Sequence, residues 1–278
     1  MGPAAARPLC DEALRLGLRA VELDPQNPGA NGDVAGVYVW LRRYPEANRY
    51  AERADALEPG APSDYGANIV EWLGGDAARA RALLRKSVAR FGLAPLVTRG
   101  GVETDWGLVA GAGDTALLKA ADRLALRDLG GDSMAYYRTK LHVAHERGAA
   151  ARERAYADSL RAVLEPKVRE QPDAAALHSR LAIAYAGLGR RADAVREARR
   201  GVELDPVERD AIDGAFRLVD LAFTYARVGE EDAAVETFAR LLAIPSPIAA
   251  PGLRATPARA IAALRRNPRF QRLLAAQP

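Results

Sequence analysis

Two histidines, His142 and His145, stand three residues apart, with Glu146 directly after the second. On a helix that spacing puts both imidazoles on one face, which is how a divalent-metal site begins. The chain has one further histidine, His178, and a single cysteine, Cys10, and neither is close in sequence. The expectation is therefore surface or interhelical packing for the histidines and no bound metal. Phosphoryl transfer would need a strand lysine with catalytic and magnesium-binding aspartates, or a glycine loop ending in Gly-Lys-Ser/Thr. No such run occurs; the nearest, Gly111-Ala112-Gly113-Asp114-Thr115, lacks a third glycine and a preceding strand and reads as a loop before a helix. A serine or cysteine nucleophile would need a base and an orienting acid, and no spacing argues for one. Asp76 and Glu231 read as helix-start carboxylates, favoured at the positive end of the helix dipole. The chain is expected to be non-enzymatic and to carry no cofactor.

The elements that must position these residues are helical. Aromatic residues make up only 6% of the 278, and alanine, leucine and arginine dominate, so strand formers are scarce and helix formers abundant. The fold class expected is all-α. The 40 basic and 36 acidic residues leave a net charge of +4, and the signs are interspersed, as in Arg190-Arg191-Ala192-Asp193. Interspersed charge makes a solvated helix face and not a nucleic-acid stripe, so no nucleic-acid partner is expected. One cysteine cannot close an internal disulfide, and Cys10 reads as a half-buried packing residue. Met1 to Arg7 lacks the apolar core of a signal peptide, and no apolar run approaches spanning length, so the expectation is a soluble cytoplasmic chain without membrane contact.

Internal repetition organises the chain. Arg19-Ala20-Val21-Glu22-Leu23-Asp24-Pro25 recurs as Arg200-Gly201-Val202-Glu203-Leu204-Asp205-Pro206, with a third version at Arg53-Ala54-Asp55-Ala56-Leu57-Glu58-Pro59. Pro25 and Pro59 are 34 residues apart, and each proline punctuates because it cannot continue a helix. Counting from Pro28 places Ala35, Tyr38, Ala47, Ala54 and Pro59 at the positions where a count from Ala175 places Ala182, Tyr185, Ala194, Gly201 and Pro206. A count from Ala215 gives Ala222, Tyr225, Gly229, Ala234 and Phe238, and Leu181 and Leu221 also correspond. The pattern resembles the tetratricopeptide repeat, a pair of antiparallel helices with small residues at the crossing and large ones between neighbours. The resemblance implies a solenoid of helical hairpins wound as a right-handed superhelix, closed by a C-terminal capping helix.

Less regular units are expected at 63–73 with 76–90, joined by Gly74-Gly75, and at 132–146 with 149–169, joined at Gly148. Between them 92–113 is glycine-rich and reads as irregular, and Asp114 caps a helix expected over 115–127. The organisation expected is N-terminal repeats over 1–92 with an incomplete first unit, a connecting region over 93–130, C-terminal repeats over 131–245 and a cap over 246–278. The first unit has only its second helix, near 10–23, whose apolar face lacks a preceding partner, as in the tail of a longer architecture. From Ala149 to Leu274 the chain is similar to the repeat region found behind serine/threonine kinase, cyclase or winged-helix domains in bacterial signalling proteins. The matching stretches are Val163–Arg169, Ala184–Arg190, Leu241–Ser246 and Pro268–Phe270. That resemblance implies a regulatory or docking tail.

In this family the first helix of each unit lines the concave groove. The resemblance therefore nominates Val39 and Trp40, then Arg180 and Ile183, then Asp220, Phe223 and Arg227 as positions facing a protein or peptide partner. For Trp40 and Phe223 a packing role weighs against the role of anchor. Some relatives clamp a chaperone's C-terminal carboxylate with lysine and asparagine; Gly32 and Gly36 stand there instead, so no such recognition is expected. An open groove would favour a scaffold, whereas a deep pocket near Trp40, Trp72 or Trp106 would favour a small-molecule sensor.

Overall fold

The computed structural model describes residues 6–58, 74–98 and 113–276. Among them the chain is all-helical, without strands, and its helices pack in adjacent pairs. The N-terminal helices are α1 (Ala6–Leu23), α2 (Pro28–Trp40) and α3 (Tyr44–Leu57), followed by α4 (Ala77–Phe91), α5 (Ala94–Thr98) and α6 (Thr115–Arg123). Three hairpins come next: α7 (Ser133–Glu146) with α8 (Ala150–Glu170), α9 (Ala175–Gly187) with α10 (Arg191–Leu204), and α11 (Asp213–Val228) with α12 (Glu231–Ala243). The chain finishes in α13 (Ala250–Ala255), α14 (Arg259–Leu264) and α15 (Pro268–Ala275). No helix among the described residues is long and apolar enough to cross a membrane. The expected helix over 63–73, Trp72 and Trp106 lie outside the described residues.

Local chemistry fixes the helix starts. The side chains of Asn27, Asp76, Asp114, Asp132 and Asn267 each accept from backbone N–H groups of the first turn, satisfying donors that have no intrahelical partner. Pro28 and Pro268 stand in the first turn, where a missing N–H costs nothing. Gly189 and Gly229, at φ +75° and +79°, turn the chain between paired helices.

Packing follows the small residues. Ala35, Ala47, Ala182, Ala194, Ala222 and Ala234 are all fully buried. At Gly201 a β-carbon would come within 2.8 Å of Ser179 Oγ, so α9 and α10 cross at a distance only glycine allows. The second helix of one pair packs on the first of the next, α8 on α9 and α10 on α11, while α9 also touches both α7 and α11. These first helices thus form one continuous face.

Two elements depart from the sequence reading. Part of the region expected to be irregular is helical: α5 forms because Leu93 and Val97 are buried with Leu118, Leu129 and Val143. The helix expected over 115–127 stops at Arg123, and a 3-10 turn at Leu126–Leu129 follows. Lys140, reaching from α7, takes the carbonyls of Ala121 and Asp122 that a continuing helix would have used. On α1, Leu9, Leu16 and Leu23 are exposed, although the helix packs on α2.

The two ends of the chain meet. Val34, Tyr38, Val39 and Trp40 share one core with α11, α12 and the C-terminal segment. Trp40 lies edge-on to Phe216, with ring centroids 5.7 Å apart. Arg42, held at φ +57°, donates through Nη2 to the carbonyls of Leu241 at 3.1 Å and Ile244 at 2.9 Å. Those carbonyls mark the negative end of α12, where a guanidinium is favoured.

The terminal region does more than cap. α15 does cover α12, with Phe270 5.7 Å from Phe238 and Arg269 paired to Asp232. Before it, residues 244–264 cross the body of the molecule. Pro251 lies against Gly75, Pro257 against Gly113, and the Arg259 guanidinium against Gly148. Ile248, Leu253, Ile261 and Leu264 are fully buried on this path.

Arg42→Gly tests the closure, because glycine suits the left-handed backbone but removes the guanidinium. Losing charge-assisted bonds to part-buried carbonyls should cost about 1.5–3 kcal/mol, partly offset by about 1 kcal/mol of relieved backbone strain. Arg42→Ala keeps the strain and should be the less stable variant by that difference in urea unfolding.

Candidate functional site

Where α14 passes over α7, α9 and α11 it roofs a cleft of about 100 Å³. From α7 come Arg138, His142, His145 and Glu146; from α9, Ile183 and Ala186. α11 supplies Val219, Asp220, Phe223, Thr224 and Arg227, and Ala258 and Ala260 form the roof. Four positions nominated by the sequence, Ile183, Asp220, Phe223 and Arg227, therefore meet on one surface. Arg180 is not on its lining and extends towards Met134, with Nη1 3.9 Å from the sulfur. Val39 and Trp40 are 1% and 5% exposed and belong to the core that joins the chain ends, far from any open face. Their burial follows from the docking of α2 on α11, which the pairing pattern within repeats does not encode.

A polar relay ties the walls together. Glu153, on α8, accepts at one carboxylate oxygen from His145 Nδ1 at 3.0 Å and from Arg227 Nη2 at 2.8 Å. Burial pushes this carboxyl upward, but the His145 hydrogen bond and the Arg227 charge outweigh it and hold it at about 2. Burial pushes His145 below the usual histidine range, helped by the Arg227 and Arg259 charges, against the pull of Glu153. At neutral pH the ring is thus uncharged, its Nδ1 proton facing an ionised carboxylate, which leaves the Nε2 lone pair at the cleft wall. Glu146 is pushed upward by burial; it accepts from the Arg259 backbone N–H, while the Arg259 guanidinium donates to the His145 carbonyl at 3.0 Å. Asp220 pairs with Arg217 at 3.3 Å.

Buried polar atoms around this cleft without a hydrogen-bond partner include His145 Nε2, Thr224 Oγ1 and Arg227 Nε. Each such group ordinarily costs about 1–3 kcal/mol, so their concentration around one cleft is notable. His145 is a base oriented by an acid, but no hydroxyl donates to its Nε2, and Thr224 Oγ1 is equally without a partner. Among the described residues no group of three or more His, Cys, Asp or Glu side chains is placed to hold a metal ion. His178 lies elsewhere, bridging Glu197 at 2.7 Å and the Pro172 carbonyl at 2.8 Å.

Sequence reasoning placed His142, His145 and Glu146 on one helix face but missed Glu153 and Thr224. A signal for Glu153 existed. In a hairpin turning at Gly148, residues within a turn or so of it on either side can face each other, and 145 and 153 lie three and five residues from it. No local pattern links either residue to Arg227. No protein-family model matches this chain, and no significantly similar relative was found among curated proteins.

Glu153 is ionised in the fold well below its ordinary range near 4.5, so its contribution is present at neutral pH and is lost as pH falls from about 4.5 towards 2. Neutral His145 adds a loss of the same sign as pH falls below 6.5, whereas Glu146, shifted upward, favours the fold at acid pH. Glu153→Gln should lower stability at pH 7 and flatten the decline between pH 5 and 3. Urea midpoints measured at pH 7, 5 and 3 check this; a slope equal to the parent's would place the acid sensitivity elsewhere.

Proposed function

We propose that this chain is a non-catalytic interaction module of the tetratricopeptide type, whose concave first-helix face docks an extended peptide segment of a protein partner. The type is supported by the 34-residue spacing of Pro25 and Pro59, the paired helices, and the small residues buried at each crossing. The docking role rests on one observation: the chain's own residues 258–264 already lie against this face, with Ala258 and Ala260 beside α7, α9 and α11, α14 packed on α11, and Ile261 and Leu264 buried in the shared core. A surface that seats a proline-punctuated segment of short helices and turns through spaced aliphatic anchors is chemically fit to seat another like it. In this reading the tail is an internal occupant that a partner must displace, which suits a regulatory or docking module of a bacterial signalling protein.

A second reading, a small-molecule sensor, is favoured by the roofed cleft itself, lined by apolar Ile183, Val219 and Phe223 beside charged side chains. The two readings are compatible, because the cleft lies beneath the tail.

Ile261→Asp with Leu264→Asp should lift the tail from its seat, since burying a carboxylate without a partner is strongly unfavourable. A fluorescent peptide of residues 244–265 should then bind the double variant in the micromolar range by anisotropy and bind the parent chain at least tenfold more weakly. A helical double variant that takes up no peptide would count against a docking groove.

A further inference from the structure

The outer face of α1 carries a heptad. Leu9, Ala13, Leu16, Ala20 and Leu23 follow one another at alternating steps of four and three residues, the spacing that keeps an apolar seam facing a second helix. All five are exposed, the leucines at 58%, 54% and 71%. The buried side chains of α1, Leu14 and Val21, share a core with α2 and lie roughly a third of a turn away from the seam at about 100° per residue. The seam is therefore surplus to the contact with α2. Among the described residues the other exposed large apolar side chains, Leu126 and Ile212, stand on separate elements. Single exposed leucines are ordinary, but a continuous row of them marks an interaction surface.

The charges beside the seam select what covers it. Glu12 and Arg19 flank it on one side, and Gly17, pressed on Val34, flanks it on the other. In an antiparallel helix pair, residues at the flanking position of Glu12 and Arg19 face their counterparts on the partner helix. With Leu9 set on Ala20 and Ala13 on Leu16, and the reverse, Glu12 of each copy comes opposite Arg19 of the other. Sliding by one heptad either way sets Arg19 on Arg19 or Glu12 on Glu12, which repel. One register is thus chosen, and it is self-complementary. A parallel pair would set leucine on leucine and alanine on alanine, leaving gaps, and would turn Glu12 to Gly17, which has no charge. Within one chain Glu12 pairs with Arg15 at 2.6 Å and Arg19 with Glu22 at 2.9 Å. Those pairs are exposed, stabilise little and give way readily.

We infer that the outer face of α1 is a self-association surface, covered by α1 of a second copy of this chain in an antiparallel two-fold pair. Alanine opposite leucine in each layer lets the helix axes approach closely and fills the layers alike. The pair uses up the seam on both copies, so assembly stops at the dimer. Each helix is 18 residues long, so the contact is at the small end of specific interfaces, and the dissociation constant is about 10–100 µM. None of the cleft's lining comes from α1, so this pairing leaves the first-helix face free.

The test is sedimentation equilibrium of the full chain from about 1 to about 500 µM at low ionic strength, where a monomer–dimer isotherm is expected. Leu16→Glu changes an exposed position, so it should keep the helicity seen by circular dichroism and weaken the dimer at least about tenfold. Glu12→Arg sets an arginine on Arg19, and Arg19→Glu sets a glutamate on Glu12. Each single exchange should weaken the dimer about threefold or more, and the two together should restore it, which only this register does. A chain that stays monomeric across the range overturns the inference and leaves the seam to a different occupant. A dimer indifferent to Leu16→Glu forms through another surface, and assembly beyond the dimer is no closed pair; either result overturns it as well. If the double exchange is no tighter than the single ones, the antiparallel register is wrong and the proposal falls with it.

Discussion

The path of residues 244–264 is the constraint that organises this molecule. Ile244, Ile248, Leu253, Ile261 and Leu264 are each 1% exposed or less, and each such side chain contributes about 1.5–3 kcal/mol of gross burial. Without that segment, the apolar surface of α11 would lie open to water, and Gly75, Gly113 and Gly148 would lose their contacts with Pro251, Pro257 and Arg259. Its start is anchored by Arg42, which satisfies carbonyls left free where α12 ends and the chain turns. The N-terminal helices are thereby fixed to the C-terminal ones, and helices separated by some two hundred residues share a single core.

On that frame one polar cluster ties three helices together. The His145–Glu153–Arg227 relay joins α7, α8 and α11, and Arg259 extends it to the tail. A buried charge is tolerable only where its partners are held in place. Here the partners come from three helices whose separation is set by alanine and glycine at the crossings. At Gly187 a β-carbon would lie 2.9 Å from both Ala157 and Leu141, so α9 sits as close to α7 and α8 as backbone allows. Close crossing and buried relay are consequences of the same small residues, and the larger side chains Phe223 and Ile183 line the cleft beside them.

The helices and their order were legible in the sequence because their causes are local. Asp76, Asp114, Asp132 and Asn267 cap by reaching two or three residues ahead, and such contacts are visible in a linear string. The pairing was legible for a related reason: alanine recurs wherever two neighbouring helices must cross. The 3-10 turn after α6 was not legible, since Lys140 decides it from outside. Trp40 illustrates the limit well. Counted within its repeat it is a groove position, yet Phe216 covers it from a helix about 176 residues later in the chain.

What the sequence determined by itself, then, is the all-helical class, the helix starts and the small residues at the crossings, all set by interactions within a turn or a hairpin. Tertiary structure alone decided that α2 shares a core with the C-terminal helices, that α14 packs on α11, and that His145, Thr224 and Arg227 line one cleft beside it. These outcomes depend on apolar surfaces far apart in the chain. The hydrophobic effect that brings such surfaces together has no direction and leaves no periodic mark.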